Sequence, residues 1–367
     1  MRLADLLALR PVPGAGLLLT LTRRCPLRCA HCSTASTMAA EQVDGAALLR
    51  FVRSFTAADR PEVVLLTGGE PLLRPELAAD LAAAARTAGT RSALLSGLFF
   101  AREDRIPARI LRAVTAVDHF SASLDAFHER EVPRAAAFRA VHQVLDAGVP
   151  ASFHLTGTGA DDPYLADATA AVRREFGDRA PMLVNEVRAV GRAAGWAATA
   201  RTGAADPGAV QPCAMAAWPV VAFDGAVVAC CNQDVVDRRP APAHLLLGRI
   251  ADDPWPVVRA RAAGSPLLRM VRAVGPDHLY ARYGGDPAPN AAEDCCTGCR
   301  RLSERPAVAD AARRAGAGPV GELLDREAAR LQYQAGPVAL ARRWGCAGYA
   351  DLVAPGHPLP ETAGATR

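Results

Sequence analysis

An alternation of short apolar runs and amphipathic segments, extending from Leu17 to about Val190, restricts the fold more than any other feature. The strand-like runs occur at Leu17–Leu21, Val63–Leu66, Ser92–Leu95, His119–Ser123, Ala151–Leu155 and Met182–Val187. Segments with helical periodicity separate them, at about 46–55, 75–88, 107–116, 135–147 and 164–176. Because strands separated by helices of this length form βαβ units, the pattern predicts a parallel sheet.

Six such strands predict an α/β fold built on a partial (β/α)6, TIM-like barrel, with its chemistry at the carboxyl ends of the strands. The alternation stops after residue 190. Asp224-Gly225 then joins Val220–Phe223 to Ala226–Ala229, which predicts a β-hairpin. We therefore expect three parts: a barrel over 1–195, a small β-hairpin and helical domain over 196–305, and a helical segment with a disordered tail over 306–367. Residues 191–195 and 203–212 are predicted to be linkers.

Composition excludes several classes of protein. The chain has 367 residues, half of them apolar, and a net charge of +4; all 42 basic residues are arginine, which excludes lysine Schiff-base chemistry. The arginines are spread along the chain, so we expect no nucleic-acid partner. No apolar run approaches the ~20 residues that span a bilayer, and no signal peptide is evident, so we expect a cytoplasmic protein that does not enter membranes. In that reducing compartment, ten cysteines favour metal binding over disulfides.

Three cysteines directly after the first strand form a Cys25-x3-Cys29-x2-Cys32 run. Thiolates are soft ligands that hold iron–sulfur clusters. A four-iron cubane needs four ligands, so three close cysteines leave one iron open to another molecule. A zinc site or a group of buried structural thiols is the alternative, although zinc sites usually show paired C-x2-C knuckles.

The end of the second strand carries Thr67-Gly68-Gly69-Glu70-Pro71, in which two glycines allow close backbone approach and a carboxylate follows. Together with the cysteine run, this motif resembles the radical S-adenosylmethionine (SAM) superfamily. The resemblance implies that Cys25, Cys29 and Cys32 hold a SAM-binding 4Fe-4S cluster. It also implies that Gly68, Gly69 and Glu70 bind the amino group of SAM. His31 stands where the family usually has an aromatic residue or histidine.

The same resemblance assigns further cofactor-binding residues at the ends of the later strands. They are Ser96, Ser121, Ser123, Asp125 and Arg192. Arg188 is a second candidate for the SAM carboxylate. His128 is expected to begin a helix or lie on the surface rather than act in catalysis.

A second group of cysteines surrounds the predicted hairpin. Cys213-x11-Gly225-x4-Cys230, followed by Cys296-x2-Cys299, resembles the SPASM domain, the auxiliary-cluster module of many radical SAM enzymes. Because further cysteines do not follow closely, the resemblance favours the one-cluster "twitch" form, with one auxiliary 4Fe-4S cluster on these four cysteines; zinc is the alternative. Cys231 and Cys295 are adjacent to Cys230 and Cys296 respectively, so the sequence does not decide which cysteine of each pair is the ligand. Cys346 is expected to be a buried thiol.

The resemblance implies an enzyme that takes an electron from flavodoxin or ferredoxin and reductively cleaves SAM. The resulting 5′-deoxyadenosyl radical then takes a hydrogen atom from a substrate C–H bond. We expect a small polar substrate of aminocyclitol or sugar type. The short N-terminus, without room for a leader-binding domain, favours this over maturation of a ribosomal peptide. The third alternative is a non-catalytic iron–sulfur scaffold or regulator.

The vicinal pair at the hairpin decides between two reactions. If Cys230 is the ligand, Cys231 faces the substrate as a catalytic residue and returns a hydrogen atom, which gives epimerisation. If Cys231 is the ligand, another group such as Asp234 acts as base in a dehydrogenation.

Overall fold

The computed structural model describes residues 1–197, 209–284 and 295–356, and it confirms the predicted partial barrel. Six parallel strands pair with their neighbours in chain order. They are β1 (Gly16–Thr20), β2 (Val63–Thr67), β3 (Arg91–Ser96), β4 (His119–Ser123), β5 (Ala151–Gly157) and β6 (Met182–Glu186). The register pairs Gly16 with Val63 and Thr20 with Thr67, so the carboxyl ends of β1 and β2 are level.

Helices connect these strands and cover the outside of the sheet. They are α2 (Gly45–Val52), α3 (Pro75–Thr87), α4 (Ala108–Ala116), α5 (Arg134–Asp146) and α6 (Pro163–Phe176). A further helix, α1 (Leu3–Ala8), precedes β1. Asp44 and Asp162 cap α2 and α6 by accepting from backbone N–H groups two residues on. The sequence analysis missed α1, a helix too short to show periodicity.

The predicted hairpin is present and extends the barrel sheet. The strands β7 (Val220–Val221), β8 (Ala226–Val228) and β9 (Leu246–Arg249) complete the order β6-β5-β4-β3-β2-β1-β7-β8-β9. β7 pairs parallel with β1, whereas β8 runs antiparallel to β7 and to β9. The residues before β7 and after β8 therefore lie at the amino-terminal end of the barrel strands, opposite the first cysteines.

The other regular elements of the second half, within the described residues, are mainly helices. These helices are α7 (Gln233–Asp237), α8 (Trp255–Gly264), α9 (Pro266–Ala273), α10 (Pro276–Tyr283), α11 (Cys295–Arg301), α12 (Pro306–Ala315) and α13 (Gly318–Trp344). α13 is bent where Gly336 leaves helical geometry before Pro337. Within the described residues, no helix is long and apolar enough to cross a membrane.

An apolar plug closes the amino-terminal end of the barrel. Leu3 and Leu6 of α1 pack with Val63, Trp218 and Ala341, the last from the second part of α13. The Trp218 ring occupies the space of a side chain on Gly16, since a Cβ there would lie 2.2 Å from it. Elements from both halves of the chain therefore form the barrel floor.

Two predictions fall largely on parts of the chain that the structure does not describe. They are the linker predicted at 203–212 and the predicted disordered tail.

Candidate active site

A cavity of about 540 Å³ runs through the barrel between the first cysteines and the floor. The two halves of its wall differ in chemistry. Strands β1 to β3 contribute Leu18, Leu65 and Leu95, whereas β4 and β5 contribute Ser121 and His154. A molecule bound there has an apolar surface on one side and hydrogen-bonding groups on the other.

Cys25, Cys29 and Cys32 line the upper end of this cavity, on the loop that follows β1. All three thiols line the same cavity, and three soft thiolates on one loop fit an iron–sulfur cluster.

Three guanidinium groups hold the backbone of this cysteine loop. Arg23 donates to Thr34 O at 2.9 Å, Arg24 to Ala40 O at 3.0 Å, and Arg192 to Cys29 O at 2.9 Å and to Ser36 O at 2.6 Å. The loop thus obtains from side chains the hydrogen bonds that a helix or strand would supply. Arg192 also lines the cavity, so it contributes both to the loop and to the site.

The segment predicted as a linker at 191–195 instead supports the cysteine loop. It forms a short 3-10 helix in which Gly191 has φ +57°. A Cβ on Gly191 would lie 2.2 Å from Ser33 O and 2.4 Å from Cys32 O. Position 191 therefore requires glycine for two reasons, its positive φ and the close approach of the Cys32 and Ser33 carbonyl oxygens.

Burial and hydrogen bonding have opposite effects on two thiols of the loop. Burial raises the pKa of Cys25 to about 12. Burial also acts to raise the pKa of Cys32, but hydrogen bonds from Thr34 and Ser36, together with the Arg192 charge, outweigh it and lower the pKa. Cys25 can therefore bind as a thiolate only where positive charge compensates for its burial, and a bound iron cluster would supply that charge.

The glycines of the second motif let β2 meet the cysteine loop at contact distance. Gly68 has φ +140°, and a Cβ on it would lie 2.3 Å from Thr22 O. A Cβ on Gly69 would lie 2.5 Å from Arg24 O. This approach brings Glu70 to the upper end of the cavity.

Glu70 is fully buried and joins the ends of β2 and β3. Its Oε1 accepts from Leu72 N at 3.0 Å and from the Ser96 hydroxyl at 3.0 Å, and its Oε2 accepts from Gly97 N at 2.9 Å. Burial raises the pKa of Glu70 to about 7 despite these donors. Ser96 lies beneath Glu70, outside the cavity lining, and so holds the carboxylate in place.

Asp125 brings two histidines together beside the first cysteines. His128 Nδ1 lies 2.7 Å and His31 Nε2 lies 3.3 Å from the same oxygen of Asp125. Although burial opposes it, interactions with Asp125 and then Cys29 raise the pKa of His128 to about 10. The expectation that His128 lies on the surface is wrong: its side chain is 14% exposed and lines the cavity, because Asp125 turns it inward.

The polar wall includes two residues that the sequence analysis missed, His154 and Asn185. Their side-chain nitrogens lie 2.5 Å apart, and burial lowers the pKa of His154 to about 4, so this imidazole is neutral. Ser121 and Ser123 line the same wall. The period-2 spacing of Ser121 and Ser123 on β4 was the available signal, and the same spacing on β5 includes His154.

A second cysteine set lines a pocket below the barrel. It consists of Cys213, Cys230, Cys231, Cys295, Cys296 and Cys299. Burial raises the pKa of Cys213 to about 11 and also raises those of Cys230 and Cys299. Apposed buried thiols whose pKa values are raised fit an iron cluster, which would supply positive charge to the thiolates.

The two cysteines of the vicinal pair have different surroundings. Cys230 lines the pocket of the second set, and its sulfur accepts from Asn232 N at 3.3 Å. Cys231 lines both that pocket and the barrel cavity. Asp234 lines neither one, and it pairs with Arg300 at 3.1 Å. The prediction of a buried thiol at Cys346 is confirmed, since that residue is 0% exposed.

Comparison with solved structures found distant likenesses to three proteins. SuiB of Streptococcus suis, bound to precursor peptide SuiA, has TM-score 0.49 and 11% identity over 68% of this chain and 65% of SuiB, so the match spans less than two thirds of SuiB. The protein anSMEcpe, with AdoMet and the Cp18Cys peptide, has TM-score 0.47 and 13% identity over 82% of this chain and 99% of that one. BtrN, in complex with AdoMet and 2-DOIA, has TM-score 0.35 and 11% identity over 67% of this chain and 81% of BtrN.

A search of curated protein sequences found no match. Residues 19–169, in contrast, match the family model described as the Radical SAM superfamily. That range contains the cysteine loop, the Gly68-Gly69-Glu70 turn and the Asp125 cluster, whose geometry is given above. Residues 19–169 are therefore a radical SAM domain.

Proposed function

We propose that this chain is an enzyme that epimerises a small, neutral, hydroxylated substrate by hydrogen-atom removal and return. The observation that carries the proposal is the place of Cys231, at the boundary between the barrel cavity and the second cysteine set. A thiol there can reach a substrate in the cavity from the side opposite to the first cysteines. Hydrogen removed from one face and returned from the other inverts a carbon.

Two groups of residues would hold the cofactors. When bound, the cluster on Cys25, Cys29 and Cys32 supplies the electron that cleaves SAM to methionine and the radical that removes the substrate hydrogen. The Gly68-Gly69-Glu70 turn would bind the amino group of SAM. Ser121, Ser123, Asp125 and Arg192 line the cavity where the rest of SAM would lie. Cys213, Cys230, Cys296 and Cys299 would hold one auxiliary cluster.

The carboxylates in the cavity argue against a positively charged substrate. Among the described lining residues the carboxylates are Glu70 and Asp125, and both are engaged, by backbone and Ser96 donors and by the two histidines respectively. A protonated amine would therefore lack a free counter-charge. Neutral His154 and Asn185 instead offer hydrogen bonds to hydroxyl groups. A sugar or a non-amino cyclitol satisfies these donors and acceptors.

Cys231 would complete the turnover. The carbon radical left by hydrogen removal takes the hydrogen atom of the Cys231 S–H bond, so a C–H bond forms and the S–H bond breaks. The thiyl sulfur then takes one electron from the low-potential donor, flavodoxin or ferredoxin, and one proton from solvent. One SAM is consumed for each product.

Dehydrogenation is the alternative that this geometry favours less. It requires a base next to the substrate, whereas Asp234 is paired with Arg300 and does not line the cavity. Maturation of a peptide is distinguished by the choice of substrate in the experiment below.

The experiment uses the anaerobically reconstituted protein with SAM and dithionite in deuterated water, against a panel of neutral sugars and cyclitols and a panel of short peptides. We expect a hydroxylated substrate to gain one deuterium at an inverted carbon, detected by NMR, with one 5′-deoxyadenosine per product. Cys231→Ala should still release 5′-deoxyadenosine but form no epimer. Cys346→Ala removes a thiol that belongs to neither cysteine set. This variant is the matched control, and it should still form the epimer.

Two results would contradict the proposal. If the protein turned over only the peptides, its substrates would be peptides and not sugars or cyclitols. An unchanged product from Cys231→Ala, without solvent deuterium, would remove Cys231 from the mechanism.

A further inference from the structure

Arg10 is a buried guanidinium that the sequence gives no reason to notice. It follows α1 by two residues, is 8% exposed and lines the barrel cavity. No carboxylate of the described residues lies within ion-pair distance of it. A buried cation without a carboxylate is costly, so its actual contacts indicate its role.

Those contacts are with sulfur and an aromatic ring. Arg10 Nη2 lies 3.0 Å from Cys231 Sγ, 3.3 Å from Met215 O and 3.6 Å from Met215 Sδ. Its guanidinium carbon lies 4.8 Å from the centre of the Trp218 ring. Nη1 is buried and has no hydrogen-bond partner in the described structure. The ring and the Met215 carbonyl thus orient the group so that Nη2 points at Cys231.

The direction of this contact matters because the Cys231 side chain could also adopt a rotamer that points toward the second cysteine set. Cys231 lines the same pocket as Cys230 and Cys213 of the second cysteine set. Rotation about one side-chain bond separates the staggered positions of a cysteine. Without a restraint, the Cys231 sulfur can turn toward Cys213 and compete with Cys230 for iron.

We propose that Arg10 is a positioning residue that holds the Cys231 thiol at the cavity boundary and thereby divides the Cys230–Cys231 pair into one iron ligand and one free thiol. Cys230 bears no such contact and accepts from the backbone N–H of Asn232. The inference rests on the proposed function in taking Cys231 as the free thiol.

The test follows the two sulfurs directly, without turnover. The background is Cys25→Ala/Cys29→Ala/Cys32→Ala, which leaves iron only at the second cysteine set. After anaerobic reconstitution, a brief iodoacetamide pulse followed by peptide mass spectrometry reports which cysteine is free. Electron paramagnetic resonance of the reduced protein reports the ligand set. Arg10→Met keeps the aliphatic stem over Trp218 and removes the donors, and Arg10→Lys restores one charged donor.

With Arg10 present, we expect Cys231 to be alkylated and Cys230 protected. In Arg10→Met the preference for Cys231 should fall about tenfold, since a hydrogen bond to a charged group contributes about this ratio. The resonance should become a mixture of two species. Arg10→Lys should recover part of the preference.

An unchanged alkylation ratio and resonance in Arg10→Met, in protein with native circular dichroism, would overturn the inference. That result leaves the proposed function standing if Cys231→Ala still retains its iron and abolishes epimer. Loss of the iron in Cys231→Ala would show instead that Cys231 is a ligand, and both proposals would then fail.

Discussion

The two cysteine sites of this protein are built in opposite ways. The upper site lies within one loop, from Cys25 to Cys32, and arginine side chains hold that loop by its carbonyl groups. The lower site gathers cysteines from the segment before β7, from the segment after β8 and from α11, which are far apart in sequence. The upper site can therefore be disturbed locally, whereas the lower site depends on the whole second half of the chain being folded.

Removing the upper ligands should have the largest effect on chemistry. Reconstituted protein should bind about eight irons, as expected for two cubanes. Cys25→Ala/Cys29→Ala/Cys32→Ala should lose about half of them and form no 5′-deoxyadenosine, measured by iron analysis and chromatography. A triple variant that still cleaves SAM would show that the upper site is not the SAM-cleaving site.

Removing the lower ligands should separate the two sites. Cys213→Ala/Cys299→Ala should also lose about half of the iron, yet it should still release 5′-deoxyadenosine while forming no product. The reason is that these sulfurs lie at the opposite end of the cavity from Glu70 and the cysteine loop. Full iron content in this variant would mean that the second cluster does not exist.

A smaller change should loosen the upper loop while all its ligands remain. Gly191→Ala forces a Cβ against Cys32 O and Ser33 O and strains φ at +57°, which costs roughly 1–3 kcal/mol. We expect SAM cleavage to fall about ten- to a hundredfold, with the lower site intact. Gly195→Ala is the control, since a Cβ there meets nothing within 4 Å. Equal activity of the two variants would show that close packing of Gly191 is unimportant.

The last prediction concerns the stability of the metal-free protein, not its chemistry, and rests on the buried carboxyl group of Glu70. Burial raises its pKa from 4.5 to about 7, so the folded chain holds this proton more tightly than the unfolded chain does. Its contribution to stability is therefore present below pH 4.5 and lost as the pH rises through 7, on the order of 3 kcal/mol.

Glu70→Gln should remove this loss, which denaturant titrations at pH 5 and pH 7.5 would measure. Glu76→Gln, at an exposed position of α3, is the control and should keep the wild-type difference. If Glu70→Gln shows the same pH dependence as the control, the buried carboxylate does not set it.

The upper site was predictable from the sequence because the residues of each of its motifs lie close together in the chain. The cysteine spacing and Gly68-Gly69-Glu70 each lie within a few residues, and parallel strands bring their carboxyl ends to one edge. The partial barrel was predictable for the same reason, from its regular alternation.

Arg10, His154 and the inward turn of His128 were not predictable, because their roles arise from contacts between distant segments. Arg10 meets Cys231 across 221 positions of the chain. The sequence of residues 191–195 is typical of a linker because glycine and alanine carry no periodicity, although close packing against Cys32 O and Ser33 O requires glycine at position 191.

The pairing of β7 with β1 bears on how such a protein can be recombined. The hairpin shares backbone hydrogen bonds with the first barrel strand, and Trp218 fills the space above Gly16. A chimera that joins this barrel to another auxiliary domain at residue 195 would expose a strand edge and leave a hole of indole size. The unit that can be exchanged between relatives therefore includes β1, its Gly16 and α1 with Arg10, even though these belong to the other half of the sequence.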